Sequence, residues 1–117
     1  MKNHFYGLYR AKDPETLEEY HGGAIIREDV YWYLAFHGME VGLYGSGPND
    51  RRRYDRREYE FAGRITGSTD DVVHFYVYNP QTRSNVHFEA TILNNDRLHI
   101  RQLDHNKGIK GIFERQE

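Results

Sequence analysis

The chain has 117 residues, no cysteine, and 16 basic against 18 acidic side chains, which gives a formal net charge of −2. This length is that of one ordinary domain, and the absence of cysteine excludes disulfides, thiol nucleophiles, iron–sulfur clusters and thiolate zinc sites. A pI near 6.4 argues against a dedicated nucleic-acid binder, and no apolar run reaches the roughly 20 residues that a membrane-spanning helix needs. We therefore expect a single domain over residues 1–117 that is soluble and cytoplasmic.

Apolar and polar residues alternate with a period of two through most of the chain, and this pattern predicts short β-strands. The predicted strands, in chain order, are His4–Ala11, Gly23–Glu28, Val30–His37, Met39–Gly45, Arg57–Thr66, Val72–Tyr78, Asn85–Leu93, Arg97–Leu103 and Ile109–Gln116. Glu28 and Asp29 are predicted to form the turn between the second and third strands. The set favours a mainly β fold, an antiparallel meander barrel of about eight to nine short strands, with a β-sandwich or an α+β domain as the alternatives.

One segment departs from the alternation, and its residues predict a short helix. Asp13 is a typical N-cap residue, Pro14 suits the first helical position, and the glutamates that follow complement a helix N-terminus. Gly22 and Gly23 supply a stop signal. We expect a helix of about two turns over Asp13–Tyr20, placed as a partial lid over the mouth of the barrel.

The seventh and eighth predicted strands form a hairpin whose register follows from its apolar residues. A three-residue loop, Asn94–Asp96, keeps the apolar residues of both strands on one face, whereas a two-residue loop puts them on opposite faces. The predicted cross-strand pairs are Ile92 with Leu98, Ala90 with Ile100, Thr91 with His99, and Glu89 with Arg101.

Two short motifs bear on the family. Gly7-Leu8-Tyr9 lies on the first predicted strand and Arg115 lies on the last. Together with the strand order, they resemble the calycin superfamily of lipocalins, fatty-acid-binding proteins and avidin relatives. Members carry Gly-x-Trp on the first strand and a basic residue on the last, which packs over the indole and closes the barrel; here Tyr9 stands in place of the tryptophan. The resemblance implies a closed barrel with an internal cavity, and it implies no particular ligand.

The first functional hypothesis is a binding module for a small apolar or aromatic molecule, because aromatic side chains are predicted to line the interior. The ligand-binding residues it predicts are Trp32, Phe36, Phe61, Phe75 and Phe88. Size counts against it, since bulky aromatics in so short a chain could fill the barrel and leave less than the about 300 Å³ of a typical ligand pocket. We expect no cofactor and no resident metal ion.

The second hypothesis is a protein-interaction domain of the inhibitor or immunity type, or a homodimer, which uses exposed tyrosines and paired charges. The surface patch that it predicts comprises Tyr31, Tyr33, His74, Tyr76, His87, Glu89 and Arg101. A His–Glu pair can also act in acid–base catalysis, and converging histidines can hold zinc, but exterior ladders of His, Glu and Arg commonly only keep a sheet soluble. His87-Phe88-Glu89 matches half of a deaminase zinc signature that no cysteine can complete. An enzyme stays open as a third alternative.

A segment with five arginines, Arg51–Arg57, is the most conspicuous charge cluster. Acidic residues among these arginines leave a formal charge of only +1 between Asp50 and Glu60. Such mixed segments usually form solvated ion pairs, and a phosphate-bearing ligand or an acidic partner protein is the alternative.

Overall fold

The computed structural model describes residues 5–50, 60–104 and 108–116, and within those ranges it contains nine β-strands and no helix. No helix in these ranges has the length and apolar character that crossing a membrane requires. The strands are β1 (Phe5–Ala11), β2 (Glu15–His21), β3 (Ala24–Gly38), β4 (Glu40–Ser46), β5 (Phe61–Ser68), β6 (Val72–Asn79), β7 (Ser84–Asn94), β8 (Arg97–Gln102) and β9 (Lys110–Arg115).

Eight of these strands form a closed antiparallel barrel, which confirms the predicted fold class. From β3 to β9, each strand pairs with the next one along the chain. β1 pairs with β3 on one edge and with β9 on the other, so the sheet closes on itself. Closure removes the edges that an open sheet would expose to other chains.

The interior of the barrel is packed with aromatic and aliphatic side chains. The rings of Phe75 and Phe88 stack with their centroids 5.2 Å apart, and Phe36 meets Phe75 edge-on at 5.6 Å. Tyr9 meets Phe36 in the same edge-on manner at 6.0 Å. These four rings form a continuous column across the barrel. Aliphatic residues surround it: Leu34, Val41, Leu43, Ile65, Val73, Val77, Leu98 and Ile100.

Arg115 links β1 and β9 at the seam, the place where the first and last strands pair and close the barrel. This is the arrangement that the calycin resemblance implies. Its guanidinium lies 4.8 Å from the centroid of the Tyr9 ring and donates a hydrogen bond to the Tyr9 hydroxyl. It also donates to the backbone oxygens of Tyr6 at 3.1 Å and Asn95 at 2.9 Å. Burial raises the pKa of the Tyr9 hydroxyl, and the neighbouring positive charge of Arg115 offsets part of that rise. The side chain therefore joins β1, the β7–β8 turn and its own strand.

The helix predicted over Asp13–Tyr20 is wrong, because Glu15–His21 is a strand, β2. Seven residues of β2 pair in register with Ala24–Val30 of β3. Gly22 and Gly23 both have positive φ, 56° and 89°, which is the backbone of the tight two-residue turn that best matches the twist of a hairpin. The glycines interpreted as a helix stop thus form a hairpin turn, and cross-strand pairing overrides the local capping signals.

The turn predicted at Glu28 and Asp29 is also wrong, because β3 continues through these residues as one strand of 15 residues. Its second half pairs with β1 and β4 and forms part of the barrel wall, and its first half pairs with β2. The β2–β3 hairpin consequently projects from one end of the barrel, in keeping with overall dimensions of 55 × 30 × 28 Å.

The register predicted for the β7–β8 hairpin is confirmed at all four pairs. The loop differs in detail. Asn94 pairs with Arg97 across a two-residue turn, and the additional residue is Leu93, which forms a bulge in β7. Asn94 Oδ1 accepts a hydrogen bond from the backbone N–H of Asp96 at 2.9 Å. The additional residue keeps the apolar side chains of both strands on one face of the sheet, which a two-residue turn without a bulge would not do.

Candidate functional site

A small pocket opens at the end of the barrel from which the β2–β3 hairpin projects. Its volume is about 110 Å³. The residues that line it all come from this end of the barrel: Trp32, Leu43, Phe61, Val77, Asn79, Val86, Phe88, Gln102 and Ile109. Because neighbouring strands run antiparallel, the starts of β5 and β7 meet the ends of β4, β6 and β8 here. The pocket draws on six strands, β3 to β8, and on Ile109 just before β9.

Three of the five predicted ligand-binding residues lie in this pocket. Trp32 and Phe61 form one wall, with ring centroids 6.2 Å apart, and Phe88 lies toward the barrel interior. Phe36 and Phe75 lie deeper, where they are 4% and 1% exposed and belong to the packed column. The structure therefore places Trp32 and Phe61 in the pocket, Phe36 and Phe75 in the core, and Phe88 in both.

Trp32 lines the pocket, and its indole N–H is the most unusual polar group among the lining residues. This nitrogen is buried, and no hydrogen-bond acceptor in the described ranges lies within reach. A buried donor without a partner costs roughly 1–3 kcal/mol, and native proteins contain few of them. Gly45 lies opposite Trp32 across the β3–β4 ladder, where a side-chain carbon would approach Val30 to 3.0 Å and would meet the six-membered ring of the indole at an ordinary 3.9 Å.

The other polar side chains of the pocket are two amides, and the oxygen of each already accepts a hydrogen bond from the backbone. Asn79 Oδ1 accepts from the N–H of Gln81 at 2.9 Å. Gln102 Oε1 accepts from the N–H of Ile109 at 3.0 Å, and its side chain packs against the backbone of Gly108, where a side-chain carbon would approach it to 2.4 Å. Each oxygen keeps a second lone pair, so the amides present N–H donors in excess of acceptor positions beside the indole N–H.

Sequence reasoning missed Asn79, Gln102 and the aliphatic residues of the pocket. The alternation assigned each of them to a strand or a strand end, but it gave no measure of how far along the barrel axis each one lies. Combining the meander order with the strand ends would have grouped them at one mouth.

The outer surface of β6, β7 and β8 holds most of the predicted surface patch. His74 Nε2 lies 3.1 Å from Glu89 Oε2, and Arg101 donates to Glu89 Oε1 at 3.3 Å, so one residue from each strand joins in a row. The hydrogen bond from His74, with a smaller contribution from Arg101, lowers the pKa of the Glu89 carboxyl. Tyr76 and His87 form the neighbouring cross-strand pair.

His87 belongs to a second exposed pair with Asp104. Its backbone N–H donates to Asp104 Oδ2 at 2.6 Å, and its Nδ1 lies 3.1 Å from the same oxygen. The backbone hydrogen bond is the main cause of a lowered pKa at Asp104. In the described ranges, no three histidine, aspartate or glutamate side chains are placed to share a metal ion. The patch has the geometry of a solvated charge ladder.

Tyr31 and Tyr33 do not extend this patch. Tyr33 is fully buried on the outer side of the barrel, where it stacks on Tyr44 at 5.0 Å and donates a hydrogen bond to the backbone oxygen of Gly47. The exposure predicted for Tyr33 is therefore wrong, because the chain after β4 folds back over β3. Tyr31 is half-buried beneath the Arg10 guanidinium, 4.5 Å from its ring centroid. Burial raises the pKa of Tyr33.

The arginine-rich segment Arg51–Arg57 lies outside the described residues. Comparison of the chain with protein-family models, with curated proteins and with solved structures finds no match.

Proposed function

We propose that the protein is a calycin-like binding barrel that holds a ring-sized, hydrogen-bond-accepting molecule at its mouth. The observation that carries this proposal is the buried, unpartnered indole N–H of Trp32, a residue that lines a pocket with mostly apolar walls. A ligand oxygen or ring nitrogen would satisfy this donor, and the gain is about 1–1.5 kcal/mol for an ordinary hydrogen bond.

The size of the pocket limits the ligand. A volume of about 110 Å³ is below the about 300 Å³ of pockets that enclose whole metabolites, and it approaches the about 150 Å³ of apolar cavities that bind benzene. The filled interior leaves no room for a long acyl chain. The ligand is thus a single aromatic or heteroaromatic ring, or a larger molecule that inserts one ring and leaves the remainder outside.

The polar groups of the pocket define its chemistry. Asn79 and Gln102 each use one lone pair of the amide oxygen in a backbone hydrogen bond, so N–H donors outnumber the remaining acceptor positions of these side chains. An excess of donors favours a carbonyl, a carboxylate or a ring nitrogen over an amine. The expected ligand class is therefore a flat ring with one or two acceptor atoms.

The single tryptophan of the chain provides the assay. We expect pyridine to change the fluorescence of Trp32 in a saturable manner and to bind about tenfold more tightly than benzene, which matches it in shape and lacks the acceptor. In Trp32→Phe, which keeps an aromatic wall and removes the donor, calorimetry should show that this preference is lost. Equal affinity for the two rings in the unaltered protein, or no saturable response to either, would contradict the proposal.

A further inference from the structure

Within the described parts of the chain, β2 and the first half of β3 form a two-stranded ribbon with no further strand beside it. Residues Glu15–His21 of β2 pair with Ala24–Val30 of β3, and β2 pairs with no other strand in the ranges described. β4 stops at Ser46, opposite Tyr31, so the barrel ends where the ribbon begins. Isolated two-stranded hairpins are marginally stable in water, and a third strand stabilises them.

The register of the ribbon fixes which backbone groups face outward. A two-residue turn makes the closing pair, His21 and Ala24, a hydrogen-bonded pair, and the pattern then alternates along the ladder. The backbone N–H and C=O groups of Thr16, Glu18 and Tyr20 consequently point away from β3. They form the row of donors and acceptors that an added strand would extend.

The negative charge of the ribbon indicates which charge an added strand would carry. Residues 15–30 contain five carboxylates and one guanidinium, a formal charge of −4, whereas the remainder of the chain carries +2. Three of the five carboxylates, Glu15, Glu18 and Glu19, belong to β2. Two copies of this edge repel each other when they pair side by side, which disfavours a symmetric dimer through β2 and favours a cationic partner.

We propose that the free edge of β2 binds an extended, positively charged segment of a partner protein by strand addition. Backbone hydrogen bonds to Thr16, Glu18 and Tyr20 supply the pairing, and the formal charge of −4 on residues 15–30 favours lysine or arginine in the added strand. The proposal does not depend on the pocket at the mouth, because it uses no residue that lines it.

The test uses a fluorescent heptapeptide of alternating lysine and valine, with a glutamate–valine peptide as its counterpart. We expect the lysine peptide to bind in fluorescence anisotropy, to weaken several-fold as salt is raised to physiological ionic strength, and to shift the amide NMR signals of Thr16, Glu18 and Tyr20. The glutamate peptide should not bind. No binding of the lysine peptide, or equal binding of the two peptides, would overturn the proposal.

A matched pair of proline variants separates the edge from the integrity of the hairpin. Tyr20 and Ile25 face each other across the ladder in a non-hydrogen-bonded pair, so the N–H of each points outward on opposite edges, and replacing either leaves the charge unchanged. We expect Tyr20→Pro to weaken peptide binding at least tenfold and Ile25→Pro to leave it within about twofold. Equal loss in both variants would overturn the assignment to β2. A dimer seen by light scattering that Tyr20→Pro abolishes would assign the edge to a second copy instead.

Discussion

Phe75 lies at the centre of the barrel, and its truncation distinguishes a packed interior from a hollow one. The ring is 1% exposed, stacks on Phe88 at 5.2 Å and meets Phe36 edge-on at 5.6 Å. Transfer of such a ring from water contributes about 1.5–3 kcal/mol. In a packed barrel, Phe75→Ala also leaves a cavity that the closed sheet cannot collapse, so we expect the free energy of unfolding to fall by about 3–5 kcal/mol.

Urea unfolding followed by the fluorescence of Trp32 measures this change. With a slope of about 2 kcal/mol per molar urea, the midpoint should fall by about 2 M while the slope stays constant. Phe75→Leu, which keeps most of the volume, should cost about 1 kcal/mol and provides the measurement if the alanine variant does not fold. His74→Ala, on the outer face of the same strand, is the matched control and should change stability by no more than about 0.5 kcal/mol.

Benzene provides the second half of the test. The cavity left by Phe75→Ala is apolar and ring-sized, so benzene should raise the melting temperature of this variant and restore part of the lost stability. A loss below about 1.5 kcal/mol, together with no effect of benzene, would refute the packed interior, because a pre-existing cavity already holds the neighbours apart.

Three further predictions concern the seam, a close strand contact and the outer ladder. Arg115→Met removes the guanidinium that binds Tyr9, Tyr6 and Asn95, and chemical denaturation should show a loss of about 1.5–3 kcal/mol; an unchanged midpoint would show that the seam closes without it. Gly63→Ala would place a side-chain carbon 1.8 Å from the backbone oxygen of Tyr76, so we expect the free energy of unfolding to fall by about 3 kcal/mol or the protein not to fold. In Gly67→Ala the added carbon meets nothing within 4 Å, so the free energy of unfolding should stay within about 1 kcal/mol in the same denaturation assay. Equal losses in the two variants would contradict this interpretation of the strand contact. The pKa of Glu89 is lowered in the folded protein, so its contribution to stability is present above the ordinary pKa of 4.5 and is lost as the pH falls through the lowered value. In Glu89→Gln the free energy of unfolding should therefore fall less on acidification, by a few tenths of a kcal/mol, since the pair is exposed. Identical dependence of the free energy of unfolding on pH in the two proteins would contradict this assignment.

The meander order and the inner face of the barrel follow from local pattern, which is why they could be predicted. Burial on one face imposes a period of two, and the same parity fixed the β7–β8 register, in which Ile92 pairs with Leu98. The bulge at Leu93 was missed because a bulge and a longer loop preserve parity equally well. The sequence pattern alone does not distinguish them.

The errors lie where nonlocal contacts override local signals. Asp13 and Pro14 are sound helix-start residues, yet seven cross-strand pairs and the Gly22-Gly23 turn place the following residues in β2. Tyr33 alternates with the core residues and should face water, but the segment after β4 covers it. Alternation shows which face of a strand a side chain occupies, but it does not show whether another segment of the chain covers that face.

The candidate site could be predicted in part, because alternation identifies the side chains that face the barrel interior. Trp32, Phe61 and Phe88 face inward by alternation, and they do line the pocket. Their depth along the barrel axis decides whether a ring belongs to the pocket or to the core, and this depth depends on the stagger of all eight strands. Phe36 and Phe75 were therefore indistinguishable from the pocket residues in sequence.

The resonance of the Trp32 indole N–H tests most directly whether this barrel recognises an acceptor at its mouth. The chain has one tryptophan, so a proton–nitrogen correlation spectrum contains a single indole signal. As pyridine is added, a hydrogen bond to this donor should move the proton signal downfield until it saturates, and benzene should leave it without a downfield shift. An indole signal that responds identically to the two rings, or to neither, would contradict the account.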